Sequence, residues 1–165
     1  MGGYIQKGGY DMRRSKPRHL GAVLRLCVIV VVPLTQLLFK REWRHAERVP
    51  AHGPAILVAN HVSYADPFVM ARFVWDAGRV PRFLGKSTLF TVPVIGRLLK
   101  AAGQIPVRRG TRDAAQSLDE AVAALERGEV IVIYPEGTVT RDEQFWPAAG
   151  KTGAARLARL VPRAP

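Results

Sequence analysis

The stretch NHVSYADP, residues 60–67, sets an imidazole and a carboxylate five positions apart, at His61 and Asp66. Together they suit general-base chemistry. A histidine takes a proton from a weak nucleophile near neutral pH, and a carboxylate on its other ring nitrogen fixes the tautomer and stabilises the imidazolium that forms. On one continuous helix a five-residue offset sets the two about 140° apart, so they meet only if a turn lies between them. The plain alternative is a helix start, with Asp66 as N-cap, Pro67 at the first helical position and His61 a structural residue after a strand.

Other residues with chemistry to offer stand further along. YPEGTVT, residues 134–140, follows an apolar run and carries Glu136, Gly137 and Thr138. A charged residue at that place is poorly explained by packing. GQIPVRR, residues 103–109, ends in Arg108 and Arg109, whose guanidinium groups suit a phosphate. Lys86 in GKSTLF and Lys151 in GKTGAARLA are further basic candidates. The GKT at 150–152 is no nucleotide-binding loop, because the upstream glycine that motif requires falls on Phe145. His19, His45, His52 and His61 lack a second ligand at helical or hairpin spacing, so no metal is expected.

These residues need elements to position them. AILVA (55–59) and VIVIY (130–134) are continuous, β-branched and short, and read as buried strands. Ala114, Ala115, Leu118, Val122 and Leu125 recur at helical spacing ahead of Gly128, a helix-ending residue. TVPVIGRLLKAAG reads as a shorter helix, and QIPVR as an edge strand because of Pro106. Strands alternating with helices predict an α/β fold, a partly parallel sheet flanked by helices. In such a sheet the segments after AILVA and VIVIY leave at the same carboxyl end, where ligand sites gather.

The chain of 165 residues suffices for one core, here residues 49–165, and residues 1–48 differ in character. LGAVLRLCVIVVVPLTQLLF, residues 20–39, predicts an N-terminal membrane-associated apolar helix, although Arg25 and Pro33 interrupt it. Lys7, Arg13, Arg14, Lys16 and Arg18 precede it, and Lys40, Arg41, Arg44 and Arg48 follow it. Basic residues on both sides fit an interfacial or re-entrant anchor, with both ends on one membrane face, better than a span. The formal net charge of +12 calls for an acidic partner surface. Because no stacking aromatics are interleaved with the basic residues, membrane lipid is expected and nucleic acid is not. The single Cys27 excludes an internal disulfide.

Taken together, NHVSYADP, the stretch from Gly103 to Arg109 and YPEGTVT resemble three motifs of the glycerolipid acyltransferase family, which includes the 1-acylglycerol-3-phosphate acyltransferases. They stand in the family's order, N-H-x-x-x-x-D, then G-x-x-F-x-x-R, then F-P-E-G-T-x-S. The similarity runs from about Ile56 to Leu160. Two departures are Pro106, where an aromatic is common, and Thr140 for a serine. The resemblance implies acyl transfer from acyl-CoA or acyl-carrier protein, as substrate rather than cofactor, to a lysophospholipid hydroxyl. The acceptor would be 1-acylglycerol-3-phosphate, the product phosphatidic acid, and the place the cytoplasmic face of the cell membrane. It also implies His61 as base, Asp66 as its partner, Arg109 on the acceptor phosphate, and Glu136 and Gly137 shaping the acceptor site. Direct transfer leaves Ser63 as a loop residue. A hydrolase of the same acyl bond and a non-catalytic basic lipid-binding protein are the alternatives.

The family pattern continues past this point with another apolar strand. The catalytic domain is therefore expected to be incomplete at its C-terminus, with Val161–Pro165 as a frayed or extended tail beside an open sheet edge.

Overall fold

The computed structural model describes residues 20–107 and 113–165, and of residues 113–115 the backbone alone. In chain order the elements are α1 (Ala22–Leu38), β1 (Ala55–Val58), α2 (Asp66–Asp76), β2 (Pro81–Lys86), α3 (Ile95–Ala101), β3 (Ile105–Val107), α4 (Asp113–Glu126), β4 (Val130–Ile133) and α5 (Gly153–Leu160). Short 3₁₀ segments stand at Ala46–Arg48 and Ser87–Thr91.

All four residues of β4 are β-branched, so this strand has no polar face to offer water and belongs between two layers. It is buried throughout. Val130 and Val132 face α2, packing with Val74, Met70, Phe73 and Phe83. Ile131 and Ile133 face the opposite side, against Ala121, Ala124 and Leu125 of α4 and Leu157 of α5. The sheet runs β1-β4-β2-β3, and every adjacent pair is parallel. Expected as partly parallel, the sheet is wholly so among the described strands. Val58 is in register with Ile133, so β1 and β4 end level and the segments after them start side by side.

Gly128 ends α4 in the left-handed conformation at φ +78°. The amides of Gly128 and Glu129 return to the carbonyls of Leu125 and Ala124, which closes the helix and turns the chain into β4.

Three expectations need correction. β1 is an edge strand rather than a buried one: Ala55 is fully buried, but Val58 is 56% exposed. β2 was not expected as a strand, because Pro81, Arg82, Gly85 and Lys86 interrupt its apolar pattern; Phe83 and Leu84 alone carry its packing. The C-terminal residues are not frayed. Val161 and Ala164 are buried with α4, and the Ile56 amide donates to the Pro165 carbonyl at 2.9 Å, so the tail lies along the outer edge of β1.

The apolar N-terminal helix is present as α1, and it is fastened to the domain. Arg72 Nη1 donates to the Val32 carbonyl at 2.8 Å, and Arg72 Nε pairs with Asp76 at 2.8 Å. Asp76 also accepts from Trp43 Nε1 at 2.9 Å and from Arg41 at 3.2 Å, while Trp43 meets Phe73 edge to face. Both Arg72 and Asp76 are nearly inaccessible, so removing either partner alone leaves a buried charge, at about 3–5 kcal/mol. Among the described residues no helix is long and apolar enough to cross a membrane. At about 1.5 Å per residue α1 measures about 25 Å, against a hydrocarbon core of about 30 Å.

Candidate active site

Asp66 is the first helical residue of α2, and Ala65 occupies the cap position without a side-chain hydrogen bond. The N-cap role, the plain alternative for Asp66, is therefore not what its carboxylate does. It turns back over the preceding loop, where Oδ2 accepts from the amides of Val62 (2.7 Å) and Ser63 (2.8 Å). The same oxygen lies 3.0 Å from His61 Nδ1. Because the carboxylate oxygen already accepts from two N–H groups, the ring nitrogen facing it carries the proton. Nε2 is then the unprotonated nitrogen, and among the described residues nothing hydrogen-bonds it. The tight loop in residues 61–66 is what the five-residue spacing required.

Ser63 completes the loop: its Oγ accepts from the Ala65 amide at 3.1 Å, a short side-chain-to-backbone turn. Tyr64, at the loop's tip, is 85% exposed.

The segment after β4 holds His61 from the other side. The His61 amide donates to Glu136 Oε1 at 3.1 Å, and the His61 carbonyl accepts from the Thr140 amide at 2.7 Å. NHVSYADP and YPEGTVT are thus joined at both ends of one residue. Glu136 is 5% exposed, and its Oε2 is buried without a hydrogen-bond partner among the described residues. Gly137 adopts φ +71° and its amide donates to the Tyr134 carbonyl, a turn that a side-chain-bearing residue enters only with strain. Thr138 is exposed on that turn.

Tyr134 was read only as the end of a strand, yet its ring stacks on His61 at 4.4 Å between centroids, with 22° between planes. Phe83 lies beyond it at 6.4 Å. Strand parity carried the signal, since Val130, Val132 and Tyr134 alternate onto the face toward α2. The Tyr134 hydroxyl is buried without a hydrogen-bond partner among the described residues, and burial followed by the Asp66 charge pushes the phenol above its ordinary range.

Lys86 is exposed at the carboxyl end of β2, level with Val107 of β3. It is on the same edge of the sheet as His61, and no hydrogen bond joins it to the cluster. Arg108 and Arg109 lie outside the described residues. Lys151 is exposed and is held by its backbone, its amide donating to the Pro135 carbonyl. At the opposite, amino end of the strands, Arg82 bonds Glu129 and the Ala102 carbonyl. That network ties β2, α3 and β4 together and holds no group near His61.

Comparison with known proteins identifies the family. Residues 40–164 match the family model described as Acyltransferase. A chloroplastic 1-acyl-sn-glycerol-3-phosphate acyltransferase of Arabidopsis thaliana is 28% identical over 155 residues, 88% of this chain and 41% of that protein. The corresponding chloroplastic protein of Brassica napus is 27% identical over 151 residues, 90% of this chain and 41% of that one. A lyso-ornithine lipid O-acyltransferase of Pseudomonas aeruginosa is 32% identical over 104 residues, 63% of this chain and 38% of that one. The chain thus spans about two-fifths of the length of these relatives. No solved structure gives a significant match. With a loop that joins His61 to Asp66, a P-E-G-T turn bonded to the same histidine and a family match over most of its length, this chain belongs to the acyltransferase family.

Proposed function

We propose that this chain transfers a fatty acyl group from an acyl-CoA or acyl-carrier-protein thioester to the hydroxyl of a lysophospholipid. The first choice of acceptor is 1-acylglycerol-3-phosphate, which two relatives covering most of the chain carry in their names, and the product is phosphatidic acid. The observation that carries the reading is His61, with Nδ1 on Asp66 and Nε2 without a hydrogen bond among the described residues, at the carboxyl end of a parallel sheet.

In this reaction Nε2 takes the proton of the acceptor hydroxyl as its oxygen attacks the thioester carbonyl. The new C–O bond forms, the C–S bond breaks, and the proton passes from His61 to the leaving thiolate. Asp66 stabilises the imidazolium in between. Glu136, which already anchors His61, offers Oε2 to a glycerol oxygen of the acceptor, and Gly137 lets backbone approach it. Arg109 grips the phosphate, with Arg108, Lys86 and Thr138 as further contacts.

Membrane lipid is the source of the acceptor. Leu26, Ile29, Val30, Leu34, Leu37 and Leu38 form an exposed stripe at helical spacing on the side of α1 away from α2, which supports an interfacial anchor at the cytoplasmic membrane face.

Release of free thiol from an acyl thioester, measured against a panel of lysophospholipids, tests the reading. Acceptor-dependent release with formation of the diacyl lipid is expected; release in water alone marks a hydrolase, and none marks a binding protein. Arg109→Ala is expected to raise the acceptor KM and leave that of the thioester little changed. A rise confined to the thioester KM contradicts the phosphate assignment.

A further inference from the structure

After β2 the chain forms a lobe of unusual surface. The 3₁₀ segment Ser87–Thr91 leads through Val92 into α3, and Leu89, Val92, Val94, Ile95 and Leu98 are each between 39% and 63% exposed. A water-facing helix of this size normally turns its apolar residues inward. Here the inward contact is made by backbone: Gly96 is buried against the Phe90 carbonyl so closely that a Cβ would collide with it. The side chains are left outside.

Backbone strain holds them there. Val94 has φ +67° and ψ −61°, and the Ile95 amide donates to the Pro93 carbonyl at 2.8 Å. This is a γ-turn in the unfavourable positive-φ form, centred on a β-branched residue for which such a backbone is a genuine outlier. Strain of this kind persists where the surroundings enforce it, and it is a reason to look for function. The turn makes Val94 the tip of the lobe.

Charge identifies what the lobe meets. Residues 86–101 contain Lys86, Arg97 and Lys100 and no acidic residue, and all three cations are exposed without an ion pair among the described residues. The neighbouring α1 also lacks acidic residues, and α3 packs beside it. An apolar tip ringed by unpaired cations fits an anionic bilayer: apolar side chains enter the acyl boundary while Lys and Arg stay at headgroup level.

We infer that residues 86–101 form, with the outer face of α1, a single docking surface for an anionic phospholipid bilayer, with the Pro93–Val94–Ile95 turn as its inserting wedge. The lobe grows from the end of β2, and β2 lies beside β4, whose own end carries Tyr134 and Glu136. Docked this way, the sheet edge bearing His61 sits at the bilayer surface, where a lipid acceptor reaches it without leaving the membrane. The inference rests on the proposed lipid acceptor for its purpose, but its test does not require catalysis.

The experiment is flotation of the full chain with phosphatidylglycerol–phosphatidylcholine vesicles, comparing wild type, Val94→Asp/Leu98→Asp and Arg97→Glu/Lys100→Glu. All four positions are exposed, and the fold of each variant is to be checked by circular dichroism and thermal unfolding. The apolar variant is expected to lose at least about tenfold in vesicle partitioning, the effect of withdrawing two apolar side chains from lipid. The charge variant is expected to lose about fivefold per residue on anionic vesicles, and little on pure phosphatidylcholine. Partitioning of the apolar variant equal to wild type overturns the inference. So does a wild-type dimer that the apolar variant dissociates with no change on vesicles, which makes a second copy the occupant. Lobe-dependent partitioning without acyl transfer leaves the docking surface standing and removes the proposed function instead.

Discussion

The His61 amide donates to Glu136 Oε1 at 3.1 Å, a bond between residues 75 positions apart in the chain. It joins the loop that carries the proposed base to the turn that carries the proposed acceptor site, at the ends of two neighbouring parallel strands. The geometry of the base therefore depends on Glu136 even before any substrate binds.

Glu136→Ala is expected to lower stability by about 1–3 kcal/mol, the cost of leaving the part-buried His61 amide without its acceptor. Glu136→Gln retains an acceptor oxygen and is expected to keep most of that stability while losing turnover. Urea or thermal unfolding of the two variants separates the roles. Equal destabilisation by Ala and Gln contradicts the anchoring role of Oε1.

Tyr134→Phe removes a buried hydroxyl that has no partner among the described residues and keeps the ring stacked on His61. Its stability is expected to be unchanged or higher, by up to about 1–3 kcal/mol, since only an unpaired polar group is lost. Tyr134→Ala is expected to be destabilised and to lower turnover, because the imidazole loses the surface it rests on. The check is the midpoint of thermal unfolding beside kcat; a Phe variant markedly less stable than wild type shows a partner for the hydroxyl in solution.

Much of this arrangement was legible in the residues. The continuous β-branched run of β4 and the periodicity of α4 fixed two elements, and two strand-loop motifs pointed to one sheet edge. What escaped has physical reasons. β2 hides behind Pro81, Arg82 and Gly85, because a strand half covered by neighbours does not need an unbroken apolar pattern. The five-residue spacing was enough to read Asp66 turning back to His61, but that the same oxygen also takes the amides of Val62 and Ser63 shows only in the folded loop. The packing of Val161 and Ala164 depends on α4 and β1, elements distant in sequence, so the last residues look like a tail until the fold is formed.

Acid stability offers a test away from the site. Burial alone would raise the Glu129 carboxyl, but the hydrogen bonds and charges of Arg127 and Arg82 outweigh it and hold it below the ordinary carboxylate range. A depressed folded value means that the stabilisation is present above the unfolded value and is lost as pH falls through the folded one. Wild type is thus expected to exceed Glu129→Gln in stability at neutral pH, with the difference vanishing in strong acid. Unfolding midpoints across that range measure it, and a difference that persists in acid shows that the ion pairs are not its source.

The central claim is that His61, oriented by Asp66, takes the proton of an acceptor hydroxyl during acyl transfer. The most direct measurement is acceptor-dependent thiol release by wild type, His61→Ala and Asp66→Asn, with folding and lipid binding verified for each. The account predicts no detectable transfer by His61→Ala and a fall of at least about a hundredfold for Asp66→Asn, both with lipid binding retained. Near-wild-type turnover by a folded His61→Ala protein contradicts it.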